Sequence, residues 1–166
     1  MKLNIGVFLV LVLAQGGLSC TTRPTLSKDL VEVHLSESGE NVQLTYANIS
    51  DKPIGILSLG PPLMEVFWVY QGGERMEYEG MNVCRFYDLE NDLTQENFLA
   101  LGPGERMDYY YPIEDFRMNF NLSDCPFIIK YPVGFLIVPN MEKYKPKPAT
   151  KLKSYDGGFT IGLEIE

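Results

Sequence analysis

Apolar and polar residues take turns along this chain, and that alternation decides what it can fold into. Val31-Glu32-Val33-His34-Leu35 alternates, and so does Val42-Gln43-Leu44-Thr45-Tyr46. A period of two puts every apolar side chain on one face, as a half-buried strand requires. Met64 to Tyr70 is apolar on nearly both faces and predicts a central strand. Gly72-Gly73 follows and Arg75 to Tyr78 resumes the pattern, which reads as a hairpin. Pro103-Gly104 is a turn pair, and the run from Arg106 to Tyr111 behind it alternates again. Phe127-Ile128-Ile129 and Phe135-Leu136-Ile137-Val138 read as two short strands bounded by Pro126, Pro132 and Pro139. At the end, Phe159, Ile161, Leu163 and Ile165 share one face, and Thr160, Gly162, Glu164 and Glu166 the other. Thr94 to Leu99 predicts a single helical turn capped by Thr94. No amphipathic helical pattern exceeds two turns. About eight short strands with Gly/Pro turns predict an all-β antiparallel sandwich or barrel.

The N-terminus reads as an address. Lys2 precedes the apolar run Ile5 to Ala14, and small residues follow, the order of a secretory signal peptide. Residues 1–19 are expected to leave, with cleavage between 16 and 20, and 20–166 to form one domain. The run is shorter than the ~20 residues a membrane span needs, and no second candidate follows. Gly17-Leu18-Ser19-Cys20 also has some likeness to a bacterial lipoprotein box, which would anchor Cys20. The cysteines are Cys20, Cys84 and Cys125. Export implies an oxidising compartment, so Cys84 and Cys125 are expected to pair once Cys20 is removed or acylated. Asn48-Ile49-Ser50 and Asn121-Leu122-Ser123 are sequons, so Asn48 and Asn121 are expected N-glycan acceptors in a eukaryotic secretory pathway.

Charge and chemistry narrow the function. With 14 basic and 22 acidic residues the net charge is −8, the wrong sign for a nucleic-acid binder. His34 is the single histidine. It falls on the polar face of the first strand beside Glu32, where it reads as a surface residue. No Gly-x-Ser-x-Gly elbow, His-Glu-x-x-His motif or phosphate-binding glycine loop is present. No catalytic residue, metal ligand or cofactor is therefore expected. Glu74 to Asp115 holds eleven acidic residues against Arg75, Arg85 and Arg106, which reads as solubility charge. Glu142 to Ser154 carries five lysines with Pro146 and Pro148 and predicts an exposed loop before the last strand. Tyr109-Tyr110-Tyr111 is the expected interaction surface, since tyrosine joins apolar area to a hydroxyl. The alternative is cross-strand packing with one ring outside.

Two stretches resemble a known family. Val42 to Leu63 leads a strand into Asn48-Ile49-Ser50-Asp51-Lys52-Pro53-Ile54 and on to Leu57-Ser58-Leu59. Glu79-Gly80, Leu93-Thr94, Phe98 and Leu101-Gly102-Pro103-Gly104-Glu105 then follow in order. Together they resemble the N-terminal propeptide domain of the deuterolysin-type (aspzincin) metallopeptidases, with Tyr78 in place of the usual phenylalanine. The resemblance implies an immunoglobulin-like β-sandwich of about 7–9 strands. It covers Leu30 to Tyr111, and Asn119 to Ser154 departs from it. The zinc-binding His-Glu-x-x-His of the family's catalytic domain is absent, so the protease activity does not carry over. The expected function is thus a secreted, non-enzymatic extracellular module with a protein partner. Its sharpest special case is a free-standing inhibitor or chaperone of a secreted aspzincin-type metallopeptidase. A lipid-anchored bacterial surface protein is the third reading.

Overall fold

The computed structural model describes residues 30–57, 60–81 and 90–166, with backbone alone over 153–159. The expected signal peptide, Cys20 and Cys84 lie outside the described residues. In chain order the strands are β1 (Val31–Ser38), β2 (Asn41–Asn48), β3 (Ile54–Leu57), β4 (Trp68–Gln71), β5 (Glu74–Met76), β6 (Asp92–Leu93), β7 (Phe98–Leu101) and β8 (Arg106–Pro112). A two-turn helix, α1 (Ile113–Asn119), precedes β9 (Phe127–Val138), β10 (Lys147–Pro148) and β11 (Lys153–Ile165).

The architecture is an all-β antiparallel sandwich. Its smaller sheet runs β1-β2-β8. β1 and β2 form a hairpin, from Val31 opposite Asn48 to Ser38 opposite Asn41, closed through Gly39 at φ 61°. That positive φ suits glycine, which has no Cβ to clash. The larger sheet is organised by β9. One edge of β9 pairs with β11, while its other edge pairs with β4 at the start and β3 at the end. β5 extends beyond β4 across the expected Gly72-Gly73 turn, and β7 extends beyond β3.

The alternation in sequence becomes the core. Val31, Val33, Val42 and Leu44 of the smaller sheet face Val69, Phe127, Ile129 and Ile161 of the larger, all buried. Phe67, Phe116, Phe120, Tyr111 and Tyr131 fill the end where α1 closes the sandwich. Deep in this core the hydroxyls of Tyr46 and Tyr131 lie 2.6 Å apart in a hydrogen bond. Burial pushes both hydroxyls above their ordinary titration range, and at Tyr46 the neighbouring Tyr131 adds to the effect. The folded state thus holds the neutral form while the unfolded chain ionises near pH 10. Stability from the pair is fully present below about pH 10 and is lost as pH rises above it. Urea midpoints measured from pH 7 to 11.5 should fall steeply above pH 10. The Tyr46→Phe/Tyr131→Phe double variant should be near wild type at pH 7, since both partners go together, and its alkaline limb should be flatter.

Several expectations are corrected. Met64 to Val66 forms a 3-10 turn rather than the start of a strand, and β4 begins at Trp68. The two short strands around Pro132 are one strand, β9. Pro132 lies between the stretches of β9 that pair with β4 and β3, and beside the register shift in β11. The edge facing β4 and β3 is unpaired at Pro132 and the β11 ladder shifts just beyond it, so a missing N–H is tolerated. Thr94 caps a turn as expected, but it is a short 3-10 turn, Gln95–Asn97, followed by β7. The Lys/Pro-rich segment is also more ordered than an exposed loop. Lys143, Lys145 and Lys151 are exposed and Lys147 is half-buried, while Met141 and Ala149 join Leu93, Phe98 and Val138 in a second small core. β10 pairs with β6, and the Tyr144 hydroxyl donates to the Leu93 carbonyl at 3.0 Å. This strap covers the outer face of β3, β7 and the end of β9. Gly55 lies beneath it, and a Cβ there would collide with the Met141 sulfur.

Candidate interaction surface

The tyrosine triplet does not form one surface. Tyr111 is 8% exposed, packs against Phe67 and Phe116, and donates its hydroxyl to the Pro62 carbonyl at 2.9 Å. Tyr109 is half-buried, edge-on to Tyr46 at 6.0 Å. Tyr110 alone reaches solvent, at 55% exposure. Strand alternation explains the split: Tyr109 and Tyr111 point inward and Tyr110 outward. The expected interaction surface is therefore corrected to cross-strand packing plus one outer ring.

Around Tyr110 the outer face of the smaller sheet is polar. His34, Thr45 and Asp108 stand in one row across β1, β2 and β8. Thr45 Oγ1 donates to Asp108 Oδ1 at 2.6 Å, and the Arg106 guanidinium lies 3.3 Å from Asp108 Oδ2. The Thr45 hydrogen bond lowers the Asp108 carboxyl below its usual range, opposed by burial and helped by Gln43 and Arg106. His34 Nε2 is 3.0 Å from Glu32 Oε1, as expected of neighbours on a polar face. The Thr45 proton is thus directed at a carboxylate that Arg106 already neutralises, and the imidazole is turned to Glu32. The row is a set of mutually satisfied surface polar groups.

The two sequons divide. Asn48 is 1% exposed. Its amide nitrogen donates to the carbonyls of Lys52 (2.8 Å), Leu101 (2.9 Å) and Gly102 (2.9 Å). Its Oδ1 accepts from the Ser50 N–H at 2.9 Å and the Ser50 hydroxyl at 2.7 Å. A glycan would be attached through that same nitrogen, so a glycan at Asn48 and these hydrogen bonds exclude each other. Asn121 is exposed, at φ 49° just after α1. It ends the helix in the left-handed conformation that asparagine tolerates, with the Leu122 N–H returning to the Arg117 carbonyl at 2.9 Å. Cys125 is exposed. Because Cys84 lies outside the described residues, their pairing stays an expectation.

A surface that sequence reasoning missed lies on the larger sheet. Val69 and Ile129 point into the core, so their neighbours Trp68, Tyr70, Ile128 and Lys130 point out. Tyr70 pairs across to Ile128 on one side and Arg75 on the other, and Ile128 pairs with Glu164. One outer row therefore reads Glu164, Ile128, Tyr70, Arg75 across β11, β9, β4 and β5. The next reads Gly162, Lys130, Trp68. The Arg75 guanidinium sits 5.2 Å from the Trp68 ring centroid, and the Lys130 ammonium 4.6 Å from that of Tyr70. Each such cation–π pair at a partly exposed site contributes about 0.5–1 kcal/mol. Ile128 is 38% exposed. Trp68, Tyr70 and Lys130 are half-buried in these ring contacts, while the strap covers the other half of the face. The signal was present: a strand apolar on both faces must bury its second face somewhere, inside the chain or against another molecule.

Among the described residues no group of three or more His, Cys, Asp or Glu side chains could hold a metal ion, and no helix is long and apolar enough to cross a membrane. A scan against protein-family models and a search of curated proteins both returned no match.

Proposed function

We propose that this chain is a secreted, non-enzymatic interaction module whose working surface is the half of the larger sheet's outer face that the strap does not reach. One observation carries this reading. The strap seals the apolar outer face over β3 and the end of β9, while the continuation of the same face displays Trp68, Tyr70 and Ile128 under two cations. Aromatic and arginine side chains on a flat, rigid support are the composition of interface anchors. The export signal supports an extracellular setting. N-terminal mass analysis of the exported chain tests that part: a mature end between residues 16 and 20 is expected, acylated Cys20 identifies the lipid-anchored alternative, and an intact Met1 overturns export.

The surface itself is tested by retention of extracellular material on the immobilised mature chain. Tyr70→Ser/Ile128→Ser should abolish retention at least tenfold, with near-UV circular dichroism unchanged. Gln43→Ser/Tyr110→Ser on the opposite face should retain it. Equal retention by both variants overturns the assignment. A second reading, a free-standing inhibitor or chaperone of an aspzincin-type zinc peptidase, is favoured by a different observation. The two separated stretches that carry the family resemblance meet at Asn48, which bonds to Ser50 from one and to Leu101 and Gly102 from the other. Undiminished peptide cleavage at micromolar excess of this chain removes that reading.

A further inference from the structure

Resting on the assignment of this face as the interaction surface, we infer that its partner is a second copy of the same chain, related by a twofold axis. The row Glu164, Ile128, Tyr70, Arg75 carries an acid at one end, a base at the other and apolar groups between. Strand spacing places the two charges about 14 Å apart, three strands at ~4.8 Å. Consider two such faces stacked at the usual ~10 Å, with the axis lying in the interface along the strands, between β9 and β4. The rotation places β11 over the partner's β5 and β9 over the partner's β4. Glu164 then meets the partner's Arg75, and Ile128 meets the partner's Tyr70. In the second row, Lys130 comes over the partner's Trp68.

An isologous contact must be complementary to itself, and a row that changes sign from end to end is. A row of one sign would repel its own copy. Among the described residues Glu164 has no ion pair, and Arg75 and Lys130 have ring contacts only, so all three charges are open to a partner. Gly162 leaves the face low beside Lys130, with a Cβ position only in ordinary contact with its surroundings, so the sheets can approach there. The patch is small. Four strands wide and roughly 13 Å long, it covers on the order of 200 Å², below the ~800 Å² per partner of a standard interface. The dimer is accordingly a weak one, formed at high local concentration.

Sedimentation velocity of the mature chain from about 10 µM to 1 mM tests this. A reversible monomer–dimer equilibrium is expected. Arg75→Glu and Glu164→Arg should each weaken it at least tenfold, because each places like charges opposite one another twice. The double variant Arg75→Glu/Glu164→Arg should restore it. Mixing the two single variants should give a heterodimer that neither forms alone, since every facing pair is then of opposite sign. Both sites are exposed, so folding is not at issue, and a circular-dichroism spectrum confirms it. A chain that stays monomeric to 1 mM, a dimer indifferent to the single reversals, or one not rescued by the double reversal overturns the inference. If such a chain still loses retention of other extracellular material on Tyr70→Ser/Ile128→Ser, the dimer fails while the interaction surface stands. If that retention is also unaffected, both fail.

Discussion

Replacing Asn48 by alanine should destabilise the sandwich by about 3 kcal/mol, and replacing it by aspartate should cost more although aspartate is its isostere. The side chain is buried and makes five hydrogen bonds. Alanine leaves the Leu101 carbonyl and its neighbours without their donor, and each orphaned buried group costs ~1–3 kcal/mol. Aspartate sets an acceptor, charged at neutral pH, against three carbonyl oxygens in a site that excludes water. Both electrostatics and desolvation oppose that. The backbone of Asn48 is tied to the same turn, since its N–H donates to the Glu105 carbonyl and its carbonyl accepts from Gly104. Glu105 in turn accepts from the Gly102 N–H at 2.7 Å. One residue thereby links the end of β2 in one sheet to the end of β7 in the other. Urea unfolding at pH 7 checks the ranking. If Asn48→Asp and Asn48→Ala are both within about 0.5 kcal/mol of wild type, as exposed positions are, the hub is not what joins the sheets there.

This residue also shows where sequence reading loses information. Asn-x-Ser is a surface modification motif and an asparagine-hydroxyl turn motif in the same three letters, and only burial separates them. Asn48-Ile49-Ser50 turns inward because the Leu101–Glu105 turn, more than fifty positions on, supplies three-dimensional acceptors that no local pattern announces. β1, β2, the hairpin at Gly72-Gly73 and β8 were legible because one half-buried face writes itself as alternation over at least three residues. β9 was split at Pro132 because a proline reads as a break unless the gaps in its partner strands are known. β6 and β10 are only two residues each and leave no periodic signal. The strap was read as solvated lysines, whereas Tyr144 and Ala149 between them do the packing. On the larger sheet, the apolar second face of Trp68 and Tyr70 was visible in the sequence as a doubly apolar run. That the strap stops short of it was not, since that depends on how the strap folds.

Phe67→Ala should be the most damaging single truncation in the core, at about 4 kcal/mol, within the 3–5 kcal/mol range for buried phenylalanine. Phe67 is 2% exposed and stands between the 3-10 turn and β4, where no strand pairing fixes it. Its ring touches Tyr111 at 5.1 Å, Tyr131 at 5.2 Å and Phe116 at 5.4 Å between centroids. Those three belong to β8, β9 and α1, so a cavity at Phe67 opens at the junction of both sheets and the helix. α1 has seven residues and no side-chain cap at its N-terminus. A helix that short does not hold itself together in water; it persists because Phe116 and Phe120 are buried against this ring cluster. The loss should therefore be uneven. Amide exchange in Ile113–Asn119 should rise toward the rate of global unfolding, with β1 and β2 less affected. Phe67→Leu keeps most of the volume and should cost nearer 1–1.5 kcal/mol. Urea unfolding of both variants, with exchange measured on α1, checks the claim: an alanine variant within 1.5 kcal/mol of wild type, or helix amides still protected in it, would show that α1 is held by something other than Phe67 and the rings around it.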